Sequence, residues 1–161
     1  MTKNMDTLLI PVDGSEYSLQ ALDVAAELAQ PLGANLVICH VVDLAKASAM
    51  SAGEPLLLEG CYEEVREEAE RIVADAVKRV GSAVPTTTTI VQGAPTAEIQ
   101  RLAEELKPRF IVIGSHGRTG LNRALLGSVA ENVARGCCVP VMIVPSRKTS
   151  PKARHVEAAH A

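Results

Sequence analysis

Short, continuously apolar runs alternate along this chain with longer segments whose apolar residues recur at helical spacing. Thr7 to Val12 is such a run, closed by Asp13-Gly14, and reads as a buried strand. Ser15 to Gln30 follows with Leu19, Leu22, Ala26 and Ala29 on one helical face, until Pro31 and Gly33 break it. Asn35 to Val42 is a second strand. Glu63 to Val80 is the clearest helix: Val65, Ala69, Ile72, Val73, Ala76 and Val80 keep its period, acids crowd its start, and Lys78 and Arg79 its end. Thr86 to Val91 reads as a third strand. Pro95 opens a helix with Ile99, Leu102, Ala103 and Leu106 inward, and Phe110 to Ile113 is a fourth strand. Ser128 to Arg135 and Val139 to Val144 complete the series as a helix and a fifth strand. Strands apolar on both faces and joined by helices predict an α/β fold: one open parallel sheet with helices on both sides.

The chain has 161 residues, which at about 150 per domain is one domain. Residues 1–146 form it, and 147–161 read as a flexible basic tail with Arg147, Lys148, Lys152 and Arg154 against Glu157. Leu44 to Gly60, rich in Ala and Ser, is an insert outside the pattern, and its Leu56-Leu57-Leu58 cluster fits a lid, a partner patch or core equally. The net charge of −3 gives no electrostatic footprint for nucleic acid. Tyr17, Tyr62 and Phe110 are the only aromatic residues, too few to stack bases or a flavin. No run approaches the roughly 20 apolar residues of a membrane helix, and the start carries no secretory signal. The four cysteines form no CxxC and no regular framework, which suits a reducing cytoplasm; adjacent Cys137 and Cys138 read as two buried thiols.

In open parallel sheets, ligands bind beyond the C-terminal ends of the strands. Asp13-Gly14-Ser15 follows the first strand, and Gly114-Ser115-His116-Gly117-Arg118-Thr119-Gly120 the fourth, continuing to Gly127-Ser128. Gly114, Gly117 and Gly120 permit tight turns and close backbone approach. Gly127-Ser128 begins a helix whose free N–H groups attract an anion, and Arg118 and Arg123 add positive charge. Together they describe a phosphate cradle of backbone amides. Neither GxxxxGK[ST] nor GxGxxG is present, so a P-loop NTPase and a Rossmann dehydrogenase are unsupported. The HIGH-like and SGGxDS-like motifs of nucleotidyltransferases are also missing.

The stretch GSHGRTGLNRALLGSVAENVARGCCVPVMIV resembles the ATP-binding signature of the universal stress protein family, Gly-x2-Gly-x9-Gly-(Ser/Thr), through Gly114, Gly117, Gly127 and Ser128. LLIPVDGSEYSLQALDVAAELA is similar to that family's first strand and helix, and His40-Val41-Val42-Asp43 to the end of its second strand. The likeness runs from about Met5 to Pro145. It implies a five-stranded sheet of order 3-2-1-4-5 and a homodimer paired through Val139 to Val144. It further implies a bound adenine nucleotide: ATP, or ADP or AMP. The base would lie near Pro11, Val12 and Val41, and Asp13 by the ribose and phosphates, also as a ligand through Mg²⁺. Amides at Gly114, His116, Gly117, Gly127, Ser128 and Val129 would hold the phosphates, with the Ser128 hydroxyl adding a donor, and Ser115, Arg118 and Ala130 would complete the cofactor-binding set.

Each of these residues also has a plainer reading. Ser128-x-x-Glu131 is a capping box, and Asp13 could cap the first helix. His116 lacks a paired carboxylate in the sequence, so it reads as a binding or structural residue rather than a general base. Cys39 and His40 end a buried strand and do not suggest a metal site; His155 and His160 lack ligand spacing. The leading expectation is a cytoplasmic, nucleotide-dependent regulatory protein acting with an unknown partner. The alternatives are a slow ATPase or phosphate-transferring protein, and a nucleotide-free scaffold dimer.

Overall fold

The computed structural model describes residues 6–43, 56–117 and 126–145. Five parallel strands form one sheet: β1 (Thr7–Pro11), β2 (Asn35–Val42), β3 (Thr86–Gln92), β4 (Phe110–Gly114) and β5 (Val141–Val144). The helices between them are α1 (Glu16–Leu32), α2 (Leu56–Val80), α3 (Pro95–Leu106) and α4 (Ser128–Gly136). The strand order is β3-β2-β1-β4-β5, as the family resemblance implies.

Because successive strand residues face opposite sides, each central strand supplies two cores. Leu8, Ile10, Leu36, Ile38 and Val112 meet α1 and α2 on one face. Leu9, Cys39, Ile111 and Ile113 meet α3 and α4 on the other. The pairing of β1 with β2 runs through to Pro11↔Cys39, whereas that of β1 with β4 covers Leu8↔Phe110 and Leu9↔Ile111. The gap this leaves lies at the C-terminal edge between β1 and β4, where the strand order reverses.

The structure corrects several expectations. β3 is not buried on both faces: it is a sheet edge, and Thr87, Thr88 and Ile90 are exposed. α1 passes through Pro31 and stops at Gly33, whose left-handed φ of 60° glycine adopts freely. Its buried stripe is Ala21, Leu22, Ala25 and Ala29, with Leu19 and Ala26 half-buried beside it. α2 begins at Leu56, not Glu63, so the end of the expected insert is helical. Leu106, expected inward, is 39% exposed because α3 ends there and the chain turns away at Lys107. The fifth strand starts at Val141 rather than Val139. Cys137 is half-buried and Cys138 exposed, so the pair does not form the expected buried thiols. The remainder of the insert (44–55), Arg118 with Gly120 and Arg123, and the tail lie outside the described residues.

Candidate nucleotide cleft

A cleft of about 310 Å³ opens along the C-terminal edge of the sheet. Of the residues singled out in the sequence, Pro11, Val12, Asp13, Val41, Gly114, His116, Gly117, Gly127, Ser128, Val129 and Ala130 line it. Ser115 lies buried behind this lining, with its hydroxyl 3.0 Å from His116 Nδ1. Arg118 lies outside the described residues. Sequence reasoning missed Pro95 and Ile99 from α3 and Val65 and Glu68 from α2. Pro95 follows a strand end closely and was within reach of the strand-end rule. Val65 and Glu68 sit inside a helix and reach the cleft only because α2 packs beside β2.

Asp13 does not cap α1. Ser15 does: its hydroxyl oxygen accepts from the Ser18 N–H at 3.3 Å. Asp13 holds that cap, with Oδ1 accepting from the Ser15 N–H at 3.0 Å and from the Ser15 hydroxyl at 2.5 Å. Its other oxygen turns towards the glycine loop, and a Cβ on Gly117 would lie 2.8 Å from Oδ2. The absence of a side chain at Gly117 therefore lets the loop backbone approach the Asp13 carboxylate closely.

The other signature glycines serve packing. A Cβ on Gly114 would lie 2.6 Å from the Tyr17 carbonyl oxygen, so β4 passes against the backbone of α1. Gly114 also lines the cleft, so the lack of a side chain serves the packing on α1 whatever the cleft holds. A Cβ on Gly127 would meet the Ser115 carbonyl oxygen at 3.1 Å and His116 Cα at 3.2 Å. The Gly127 N–H already donates to Ser115 O at 2.8 Å, so that amide, expected to hold phosphate, is used within the protein.

The capping box expected at Ser128 is also absent. Gly127 occupies the N-cap position and no side chain caps the helix. Glu131 turns instead to Arg135, 3.0 Å away. The first intrahelical bond runs from Glu131 N–H to Gly127 O at 2.9 Å. The N–H groups of Ser128, Val129 and Ala130 precede it and have no acceptor within the helix. They carry the positive end of the helix dipole, at the cleft wall.

Two histidines border the cleft. The ring of His116 tilts against Tyr17, with centroids 5.2 Å apart. His40 is buried, and its Nδ1 lies 2.7 Å from the Val12 carbonyl oxygen. Beneath them, burial pushes the Cys39 thiol up to about 12, so it remains a neutral, inert group. Among the described residues no cluster of three or more His, Cys, Asp or Glu side chains could hold a metal ion. Likewise, no described helix is long and apolar enough to cross a membrane.

Known proteins share this arrangement. Universal stress protein MJ0531 of Methanocaldococcus jannaschii is 35% identical over 88% of this chain and 82% of its own. The structure of universal stress protein UspA from Lactobacillus plantarum aligns with a TM-score of 0.73 at 29% identity, over 86% of this chain and 97% of that one. A universal stress protein solved in complex with cAMP aligns with a TM-score of 0.57 at 30% identity, covering 87% and 96%. The model of the universal stress protein family matches residues 4–145, and this chain belongs to that family.

Proposed function

We propose that this protein binds an adenine nucleotide in the cleft and acts as a nucleotide-dependent regulator. The observation that carries the reading is the open start of α4. Ser128, Val129 and Ala130 line the cleft, no side chain caps their N–H groups, and an anionic phosphate would complete the helix there. Glycine at position 117 brings the loop backbone against the Asp13 carboxylate at the cleft wall. The relative solved with cAMP supports an adenine ligand. In this reading the base lies towards Pro11 and Val41, the ribose near Asp13, and the phosphates on Ser128, Val129 and Ala130. Mg²⁺ would enter on the phosphates of ATP, with Asp13 as the protein's ligand.

A partner or a second copy would sense occupancy of the cleft. β5 is the exposed edge suited to a second copy: Val141, Met142 and Ile143 remain half-buried there. The test is to denature fresh protein, chromatograph what it releases, and titrate the emptied protein with AMP and Mg²⁺-ATP by calorimetry. We expect one site per chain with about micromolar affinity. The absence of both released nucleotide and binding heat would overturn the reading.

A further inference from the structure

His40 is a buried polar side chain with one half of its ring accounted for. It is 8% exposed, near the end of β2, in the wall of the cleft. Nδ1 is 2.7 Å from the Val12 carbonyl oxygen. A carbonyl oxygen only accepts, so Nδ1 is the donor and carries a proton. In the neutral ring Nε2 is then a bare acceptor. Among the described residues no group donates a hydrogen to Nε2, and it is not sealed from solvent as Asn35 Oδ1 is. Here the space beside the ring is the cleft.

We infer that His40 reads the ligand: Nε2 accepts a hydrogen from an O–H or N–H group of the molecule in the cleft. This rests on the nucleotide reading above and adds a specificity element to it. The bond to Val12 fixes both the tautomer and the ring plane before binding, so little rotational freedom remains to be lost. It also makes the choice one-sided. A ligand hydroxyl or amine is accepted, whereas a ligand oxygen with only lone pairs would face another lone pair. On an adenine nucleotide the candidates are the two ribose hydroxyls and the exocyclic amine.

The experiment is calorimetric titration of the full chain at pH 8, above the ordinary imidazole range. Wild type and His40→Asn are compared against AMP, 2′-deoxy-AMP, 3′-deoxy-AMP and the 6-oxo analogue inosine monophosphate. An Asn amide can still donate to Val12 but has nothing at the Nε2 position. We expect His40→Asn to bind AMP about three- to tenfold more weakly. One analogue should show the same loss on wild type and no further loss on the variant, and its missing group names the donor.

Equal AMP affinity in the two proteins, or analogue losses identical in both, would overturn the inference while leaving nucleotide binding intact. A wild type that binds none of the four would overturn both. Should His40→Asn fail to fold, ¹⁵N imidazole spectra of the wild type decide. The His40 Nε2 resonance must report an unprotonated nitrogen and move on adding AMP, and a resonance that does not move overturns the inference.

Discussion

Of the helices that begin at the cleft, α1 and α4 begin differently. The start of α1 is closed by its own side chains: Ser15 caps it and Asp13 grips the Ser15 hydroxyl and amide. The start of α4 has a glycine at the cap and no side-chain bond, leaving three backbone N–H groups on the cleft wall. Both ends carry the same partial positive charge, so dipole alone does not distinguish them. What distinguishes them is whether the sequence supplies the cap. A helix start that satisfies itself is structural, and one that does not has its donors available for a ligand.

The largest expected effect comes from forcing apart the strand and helix that hold the two starts together. Gly114→Ala would place Cβ 2.6 Å from the Tyr17 carbonyl oxygen. Both atoms belong to regular elements, so we expect a loss of about 2–3 kcal/mol, read as a lower urea midpoint. Wild-type stability would mean that α1 yields easily and that Gly114 has another role. Next comes Ser15→Ala, which removes the α1 cap and should cost about 1 kcal/mol. An unchanged midpoint would show Asp13 taking over the cap, and the contrast between the helices would shrink.

The smallest stability effect is expected for Ser128→Ala, within about 0.5 kcal/mol, because its hydroxyl caps nothing. Its nucleotide affinity should nevertheless fall about three- to tenfold, since one ligand hydrogen bond is lost. A stability loss as large as that of Ser15→Ala, with unchanged affinity, would reverse the comparison and make Ser128 a cap.

Much of this architecture was legible before any coordinates. The strands β1, β2 and β4 stand out because burial on both faces demands unbroken apolar runs. β3 was legible as a strand but not as an edge. Its four consecutive threonines are β-branched, which sets the conformation, while their half-polar character tolerates the exposure actually found. Leu106 misled because helical spacing gives a direction but not where the neighbouring layer ends.

Within the cleft, the glycine spacing pointed to a loop that lines it but not to what each glycine packs against. Gly114 packs on α1, Gly127 on the loop's own backbone, and Gly117 against Asp13. Two of those distances, Gly114 to Tyr17 and Gly117 to Asp13, join segments about a hundred residues apart in the chain, and no local pattern encodes them. Similarly, Ser128-x-x-Glu131 satisfies the capping-box pattern, yet Glu131 pairs with Arg135 and the cap falls one residue earlier. Two local solutions compete at that helix start, and the bond from Gly127 N–H to Ser115 O is part of the geometry adopted.

By itself, the sequence determined the alternation of strands and helices and the loops that follow β1 and β4. These depend on side-chain period and on where apolar runs stop, both local properties. Only the tertiary structure decided which amides are spent and which are open, that α2 furnishes a wall of the cleft, and that His40 faces it with one ring nitrogen fixed. Those depend on which backbone groups meet across the sheet edge, and such meetings exist only once the strands have paired.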